Sequence, residues 1–216
     1  MQPSPSRRRT VLGTGSPFVL TAILALGAGC HTYQHPKYEV KDQKILLVPF
    51  RDMKLAYRTA PGESPRGQKV VDAFRSWTEK EWSPQIVEGN EVLTVVRTLR
   101  EWPTEKKQTS KDWKKILAGI DADLVLTGEI LDIRDHDPKT IGIYKGTIRG
   151  RYSVIDAHSG KTAYASPEFS CEWPKDTELD PPIADLGNKP DDIERNLLRE
   201  FGERIGKDLY GYYSEK

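Results

Sequence analysis

The hydrophobic pattern beyond residue 43 first predicts a buried strand and then an amphipathic helix. Residues 44–50 form a short, continuous apolar run, which is typical of a strand that is covered on both faces. Pro49 should end this strand, because proline has no backbone N–H to donate. Between residues 68 and 82, apolar side chains recur at helical spacing, with charged residues on the opposite side. We therefore expect a helix over 68–82.

The next three segments continue the alternation of strand and helix. Residues 91–97 are rich in β-branched side chains and predict a second strand. Residues 110–119 predict a second helix, which Thr109 or Ser110 is able to cap. Residues 123–132 predict a third strand. This alternation favours a partly parallel sheet with helices packed on it.

The second half of the chain has a different pattern. Residues 144–156 alternate between apolar and polar side chains, which predicts a strand with one buried face. Residues 158–161 contain a glycine suited to a hairpin turn, and residues 162–172 follow as the partner strand. Residues 191–213 place apolar side chains on one face of a C-terminal helix. We expect one α/β domain over 44–213, in two or three layers, with a mixed sheet and three packed helices.

Composition narrows the class of protein. The 216 residues suit one domain with appendages, and a hydrophobic content of 37% permits a folded core. Lys and Arg total 33 against 32 for Asp and Glu, so the chain lacks the basic excess of a general nucleic-acid binder. Two cysteines are too few for a disulfide scaffold or a cysteine-based zinc site. We expect no cofactor and no nucleic-acid partner.

The first 29 residues have the pattern of a bacterial export signal. A positively charged start at residues 7–9 precedes an apolar run over 17–26, about half of the ~20 residues that span a bilayer. The order Leu-Gly-Ala-Gly-Cys, which ends at Cys30, resembles the lipobox of bacterial lipoproteins, although Gly27 stands where leucine or valine is usual. The resemblance implies removal of residues 1–29 and a diacylglycerol thioether on Cys30. The alternative is an ordinary secretory peptide in which Cys30 is incidental.

The segment after the cysteine predicts how the domain is held. Residues 30–43 are polar and contain Pro36, which is typical of a tether between a lipid and a folded domain. His31 replaces the aspartate that favours inner-membrane retention, so we expect the outer membrane rather than the inner one. Arg8 and Arg9 also resemble a twin-arginine export signal, with a plain positive start as the alternative.

Two passages carry a resemblance to a known family. Residues 119–130 resemble a "G-ADLVVTGEI" passage, and residues 154–161 resemble a "V-DA-TGK" hairpin, of the curli-secretion lipoprotein superfamily. This superfamily includes the lipoprotein activators of penicillin-binding proteins and the N-terminal domain of TolB. The resemblance covers about residues 44–213 and implies an anticodon-binding-domain-like order, β-α-β-α-β-β-β-α. The segments before the hairpin are too short and too charged to build a membrane barrel.

The same resemblance implies a function. It implies a non-enzymatic, periplasm-facing lipoprotein that acts as a protein-interaction or assembly module in secretion or cell-wall synthesis. Its partner would be another envelope protein or a second copy of the chain. Leu55 and Tyr57 place apolar groups in a polar loop, and Pro181 and Pro182 lie in a long proline-rich loop, so we predict these four residues to bind the partner. The alternative is that Leu55 and Tyr57 fold back onto the core.

Enzymatic and metal-binding chemistry find less support in the sequence. Asp132, Asp135 and Asp137 form the densest acidic cluster, which is either a cation site or a solvated loop at the end of a strand. The serine-hydrolase, phosphate-loop and dinucleotide motifs are all missing from the mature sequence. We therefore expect no enzyme. The alternative function is a periplasmic hydrolase or ligand-binding lipoprotein, with its site in the loops 51–67 and 174–190.

Overall fold

The structure is a computed structural model, and it describes residues 32–54, 65–100, 107–135, 145–174 and 190–214. The elements of these residues follow in chain order: β1 (Thr32–Gln34), β2 (Lys44–Leu47), β3 (Arg51–Asp52), α1 (Pro65–Glu81), β4 (Gln85–Val87), α2 (Asn90–Arg100), α3 (Ser110–Ile116), β5 (Leu124–Arg134), β6 (Gly146–Asp156), β7 (Thr162–Ala165), β8 (Phe169–Trp173), α4 (Pro190–Tyr210) and β9 (Tyr212–Ser214). The predicted α/β class is confirmed, but the described residues form four helices instead of three. None of these helices has both the length and the apolar composition needed to cross a membrane.

Parallel and antiparallel strands share the main sheet, as predicted. Its path is β4-β2-β5-β6-β7, while β3 continues along β5 and β8 continues along β6. β2 is parallel to β4 and to β5, which requires the helical crossovers between them. β5 and β6, each 11 residues long, form an antiparallel pair. β1 and β9 form a separate two-stranded ribbon.

Helices α1 and α4 cover one face of the main sheet and enclose the larger core. Phe74 of α1 and Phe201 of α4 are both fully buried there, together with Phe50 and Tyr152 from the sheet side. The ring of Phe201 meets the ring of Phe50 edge-on at 6.2 Å and stacks on Phe169 at 4.6 Å. This aromatic packing fixes the two long helices on the sheet.

Helices α2 and α3 cover part of the opposite face. Leu99 of α2 and Trp113 of α3 are buried against Leu46 and Val125 of the sheet. Thr109 caps α3, as predicted: its hydroxyl accepts from the Asp112 N–H, and the Asp112 carboxylate accepts from the Thr109 N–H. The domain therefore has helices on both faces of one sheet.

The segment 91–97, which the sequence predicts to be a strand, is part of helix α2. Val92, Val95 and Leu99 recur at helical spacing and turn one face of the helix toward the second core. The hydroxyl of Thr94 donates to the carbonyl of Asn90 at 2.8 Å, so it is satisfied within the helix. Burial of this face outweighs the β-propensity of the β-branched residues.

The end of the chain also differs from the prediction. The strand expected over 162–172 is interrupted at Pro167, and its two halves, β7 and β8, both pair with β6. Helix α4 ends at Tyr210, because Gly211 has a φ of 78° and turns the chain into β9. The predicted hairpin with Gly160 at positive φ is confirmed.

Residues 32–43, expected to be a tether, lie against the domain. The Nζ atom of Lys37 is 2.9 Å from an Oδ atom of Asp208 on α4, and the Lys37 N–H donates to the Asp208 carbonyl. Val40 is 1% exposed and belongs to the larger core. The structure therefore differs from the expected tether over 32–43, because the apolar Val40 gains more by burial than by solvation. Cys30 lies outside the described residues.

Candidate interaction site

Polar side chains continue the second face of the sheet beyond the area that α2 and α3 cover. Leu126 and Ile130 of β5 point into the larger core, so Thr127 and Glu129 point to the opposite face. The register places Ser153 opposite Thr127 and Arg151 opposite Glu129 on β6. On the other side of β5, Arg51 of β3 pairs with Glu129. Strand alternation and register thus bring an Arg–Glu–Arg row across three strands, which we call the charged row.

Glu129 and Arg151 form the central ion pair of the charged row. The Nε and Nη2 atoms of Arg151 donate to one Oε atom of Glu129 at 2.8 Å and 2.5 Å. The Glu129 side chain is 19% exposed and the Arg151 side chain 45%. Because the carboxylate is committed to a guanidinium, Glu129 is poorly suited to act as a general base.

A cavity of about 300 Å³ lies beside the charged row, under the edge of α2 and α3. Leu99, Trp113 and Ile155 give this cavity an apolar wall. We call the cavity and the charged row together the groove. The cations of its lining are Arg51, Lys107 and Arg151, while Glu129 is the acid. A ligand or partner that places an apolar group beside negative charge matches this surface.

Of the two interpretations left open for the acidic cluster, a cation site or a solvated loop, the structure favours neither a metal nor a free carboxylate at Asp132, which is paired with basic side chains. Asp132 accepts ion pairs from Lys54 at 2.5 Å and from Arg134 at 2.8 Å. The hydrogen bond from Lys54 lowers the pKa of the Asp132 carboxyl, and the hydrogen bond from Arg134 adds to this effect against the opposing effect of burial. No group of three His, Cys, Asp or Glu within the described ranges is able to hold a metal. Asp137 lies outside those ranges, while the exposed Asp135 directly follows β5.

The predicted partner-binding residues cannot be placed. Leu55, Tyr57, Pro181 and Pro182 all lie outside the described residues, as does most of the loops 51–67 and 174–190. The same holds for Cys30, so its lipidation stays a prediction.

The described ends of these loops form an ion-pair network. An Nη atom of Arg66 is 3.2 Å from the buried Asp52 carboxylate, and the other is 2.5 Å from Glu194. Asp52 lies on β3, Arg66 on α1 and Glu194 on α4, so the guanidinium joins three elements. Two carboxylates do converge here, but they converge on a shared cation, which is an arrangement that stabilises structure.

Sequence reasoning did not single out the residues of the groove. The sequence did contain one indication of the groove, because the alternation over 147–153 places Arg149 and Arg151 on the polar face of a strand. Their partners could not be read from it, because the pairing of Arg151 with Glu129 depends on the register between two strands.

Comparison with known proteins gives structural likeness alone. No protein-family model and no curated protein matches the sequence. The hypothetical protein CT253 from Chlamydia trachomatis aligns with a TM-score of 0.43 at 9% identity, over 76% of this chain and 96% of that chain. Lipoprotein GNA1162 from Neisseria meningitidis aligns with a TM-score of 0.39 at 13% identity. The C-terminal domain of LpoB from Escherichia coli aligns with a TM-score of 0.36 at 10% identity. Each of these two alignments covers 60% of this chain and 82% of that chain. Likenesses this remote carry no argument about function, which has to come from the residues of this chain.

Proposed function

We propose that the protein is a non-enzymatic lipoprotein of the bacterial cell envelope, anchored through Cys30 and facing the periplasm, with the outer membrane favoured over the inner one. It acts there as a protein-interaction or assembly module in secretion or cell-wall synthesis. The anchor is supported by the charged start, the short apolar run and the small residues before Cys30. A lipid-modified cysteine carries more than one acyl chain, which makes the attachment stable.

The observation that carries the interaction role is the groove. It combines an apolar wall with the charged row on a sheet face that α2 and α3 cover only in part. Its acid, Glu129, is paired with Arg151, which disfavours acid–base catalysis and leaves the surface suited to recognition. The excess of cations in its lining selects a partner segment with acidic side chains around an apolar anchor.

Capture from solubilised envelope with a matched pair of variants tests this role. Arg151→Gln removes a cation of the groove, whereas Arg195→Gln removes an exposed cation of α4, whose side chain is 70% exposed. We expect Arg151→Gln to reduce the amount of captured partner about tenfold, which corresponds to about 1.4 kcal/mol. Arg195→Gln should capture as much as the parent protein does.

Thermal unfolding serves as the control of this comparison. Both substitutions affect ion pairs at the surface, so each should leave the unfolding temperature within a few degrees of the parent value. Equal capture by the two folded variants would show that the partner binds elsewhere on the protein.

A further inference from the structure

Aromatic side chains gather where β1 meets β9. The register pairs Tyr33 with Tyr213, and their ring centroids are 5.2 Å apart. The ring of His35 meets Tyr33 edge-on at 5.0 Å. Tyr213 is 67% exposed, which makes it one of the most exposed large hydrophobic side chains that the structure describes. A tyrosine ring in this position presents both an apolar face and a polar O–H group to its surroundings.

The end of α1 enlarges this surface. Trp77, Trp82, Tyr212 and Tyr213 line a cavity of about 460 Å³, together with Glu81 and Lys207. The Nζ atom of Lys207 lies 5.6 Å from the ring centroid of Tyr212. We call this surface the aromatic end; its rings are those of Tyr33, His35, Trp77, Trp82, Tyr212 and Tyr213.

The chain before β1 restricts where the aromatic end is able to lie. Thr32 is the second residue after Cys30, and two residues span at most about 7 Å. The polar headgroup layer on one side of a bilayer is about 5–7 Å thick. If Cys30 carries lipid, β1 therefore begins within about one headgroup layer of the acyl chains. This step rests on the proposed function.

We infer that the aromatic end lies in the headgroup layer of the membrane leaflet that holds the Cys30 lipid. Tyrosine favours this layer, because its ring is apolar while its O–H group stays hydrated, and the exposed Tyr213 meets both conditions. Trp77 and Trp82 add apolar ring surface beside it. The lining of the cavity contains one cation, Lys207, and one acid, Glu81, so no anionic lipid is needed for the contact. The occupant of this surface is the phospholipid headgroup layer.

This placement orients the groove. Trp82 lies just before the amino end of β4, whereas Val48 and Arg51 of the groove follow the carboxyl end of β2. Since β2 and β4 are parallel, the aromatic end and the groove lie toward opposite ends of these strands. A membrane contact at the aromatic end thus turns the groove away from the bilayer and toward the periplasm.

Fluorescence quenching on the lipid-modified protein tests the placement. The protein is isolated from its envelope and reconstituted into vesicles of phosphatidylcholine and phosphatidylethanolamine, with and without brominated acyl chains. In a Cys171→Ser background, a fluorophore is attached at Tyr213→Cys or at His35→Cys, an exposed second site that covers the case of a misfolded first variant. Leu93→Cys on α2, at a side chain that is 62% exposed, is the control. Mass spectrometry of each sample reports the state of Cys30.

We expect brominated lipid to remove most of the fluorescence at positions 213 and 35 and none of it at position 93. Lipid-modified protein that keeps its fluorescence at positions 213 and 35, or loses it equally at all three positions, would overturn this inference while the proposed function stands. An unmodified Cys30 would overturn both.

Discussion

At the scale of single residues, the fold places several polar groups in the larger core, and their partners differ. Asp208 is 6% exposed and receives Lys37 at 2.9 Å and Arg204 at 3.3 Å. The Tyr152 hydroxyl lies 3.4 Å from the same carboxylate. The Tyr210 hydroxyl is buried without a hydrogen-bond partner among the described residues. A hydroxyl that is buried without a partner lowers the free energy of unfolding, so the Tyr210 hydroxyl destabilises the core.

Tyr210→Phe should stabilise the protein by about 1 kcal/mol at pH 7, because it removes a desolvated hydroxyl and keeps the ring. Urea-induced unfolding of the parent and the variant measures the difference. A loss of stability at pH 7 would show that the hydroxyl has a partner in the folded protein.

The same residue predicts a pH dependence. Burial raises the pKa of Tyr210 from 10.0 to about 12. Below pH 10 the phenol is neutral in the folded and the unfolded state, so its ionisation does not reduce the free energy of unfolding. As the pH rises from about 10 to about 12, the unfolded state loses the proton first, so the native state is destabilised. The advantage of Tyr210→Phe should therefore grow across this window, whereas a constant difference would contradict the shift.

At the scale of elements, the crossing of α1 and α4 depends on a glycine. A Cβ atom at Gly202 would lie 2.6 Å from the Val70 carbonyl oxygen and 2.7 Å from the Ala73 Cβ atom. Both atoms belong to α1, so a side chain at this position would push the two helices apart. The close approach is what lets Phe74 and Phe201 reach the same core.

Gly202→Ala should lower the free energy of unfolding by about 1–3 kcal/mol, because the added methyl group overpacks the crossing. Arg199→Ala, at an exposed position of the same helix, should change it by no more than about 0.5 kcal/mol. Chemical unfolding of both variants measures this contrast. Equal changes in the free energy of unfolding would mean that α1 shifts to accommodate the methyl group without loss of stability.

The elements show where sequence reasoning succeeds and where it fails. Strand 44–47 was predictable from its continuous apolar run, because both of its faces are buried. Helices α1, α3 and α4 were predictable, because burial on one side leaves a regular period in the sequence. Helix α2 was missed, because its β-branched residues satisfy the composition of a strand while their spacing satisfies a helix. The groove was predictable only in part. The position of Arg151 on a polar strand face follows from the sequence pattern, but its pairing with Glu129 depends on the register between β5 and β6.

At the scale of the whole molecule, the segment after Cys30 is built into the domain. β1 pairs with β9, the Tyr33 hydroxyl donates to the Tyr210 carbonyl, and Val40 enters the larger core. The first and last described strands are therefore held together. If Cys30 carries lipid, this arrangement holds the domain near the membrane, whereas a free span of about 13 residues would let the domain reach about 40 Å from it.

Val40→Ala should lower the free energy of unfolding by about 2 kcal/mol, because Val40 is 1% exposed in the larger core. Its exposed neighbour offers a matched control, since Glu39→Ala should leave stability within about 0.5 kcal/mol of the parent. Thermal or chemical unfolding distinguishes the two variants. An unchanged free energy of unfolding in Val40→Ala would mean that residues 32–43 detach from the domain and behave as the tether that their composition predicts.

Anchoring through Cys30 is the claim on which the proposed function and the membrane placement both depend. The most direct test is the intact mass of the protein extracted from the bacterial envelope. We predict a chain that begins at Cys30, with residues 1–29 removed and a diacylglyceryl group on the cysteine sulfur. A chain that retains residues 1–29, or a mature chain with an unmodified Cys30, would contradict the account.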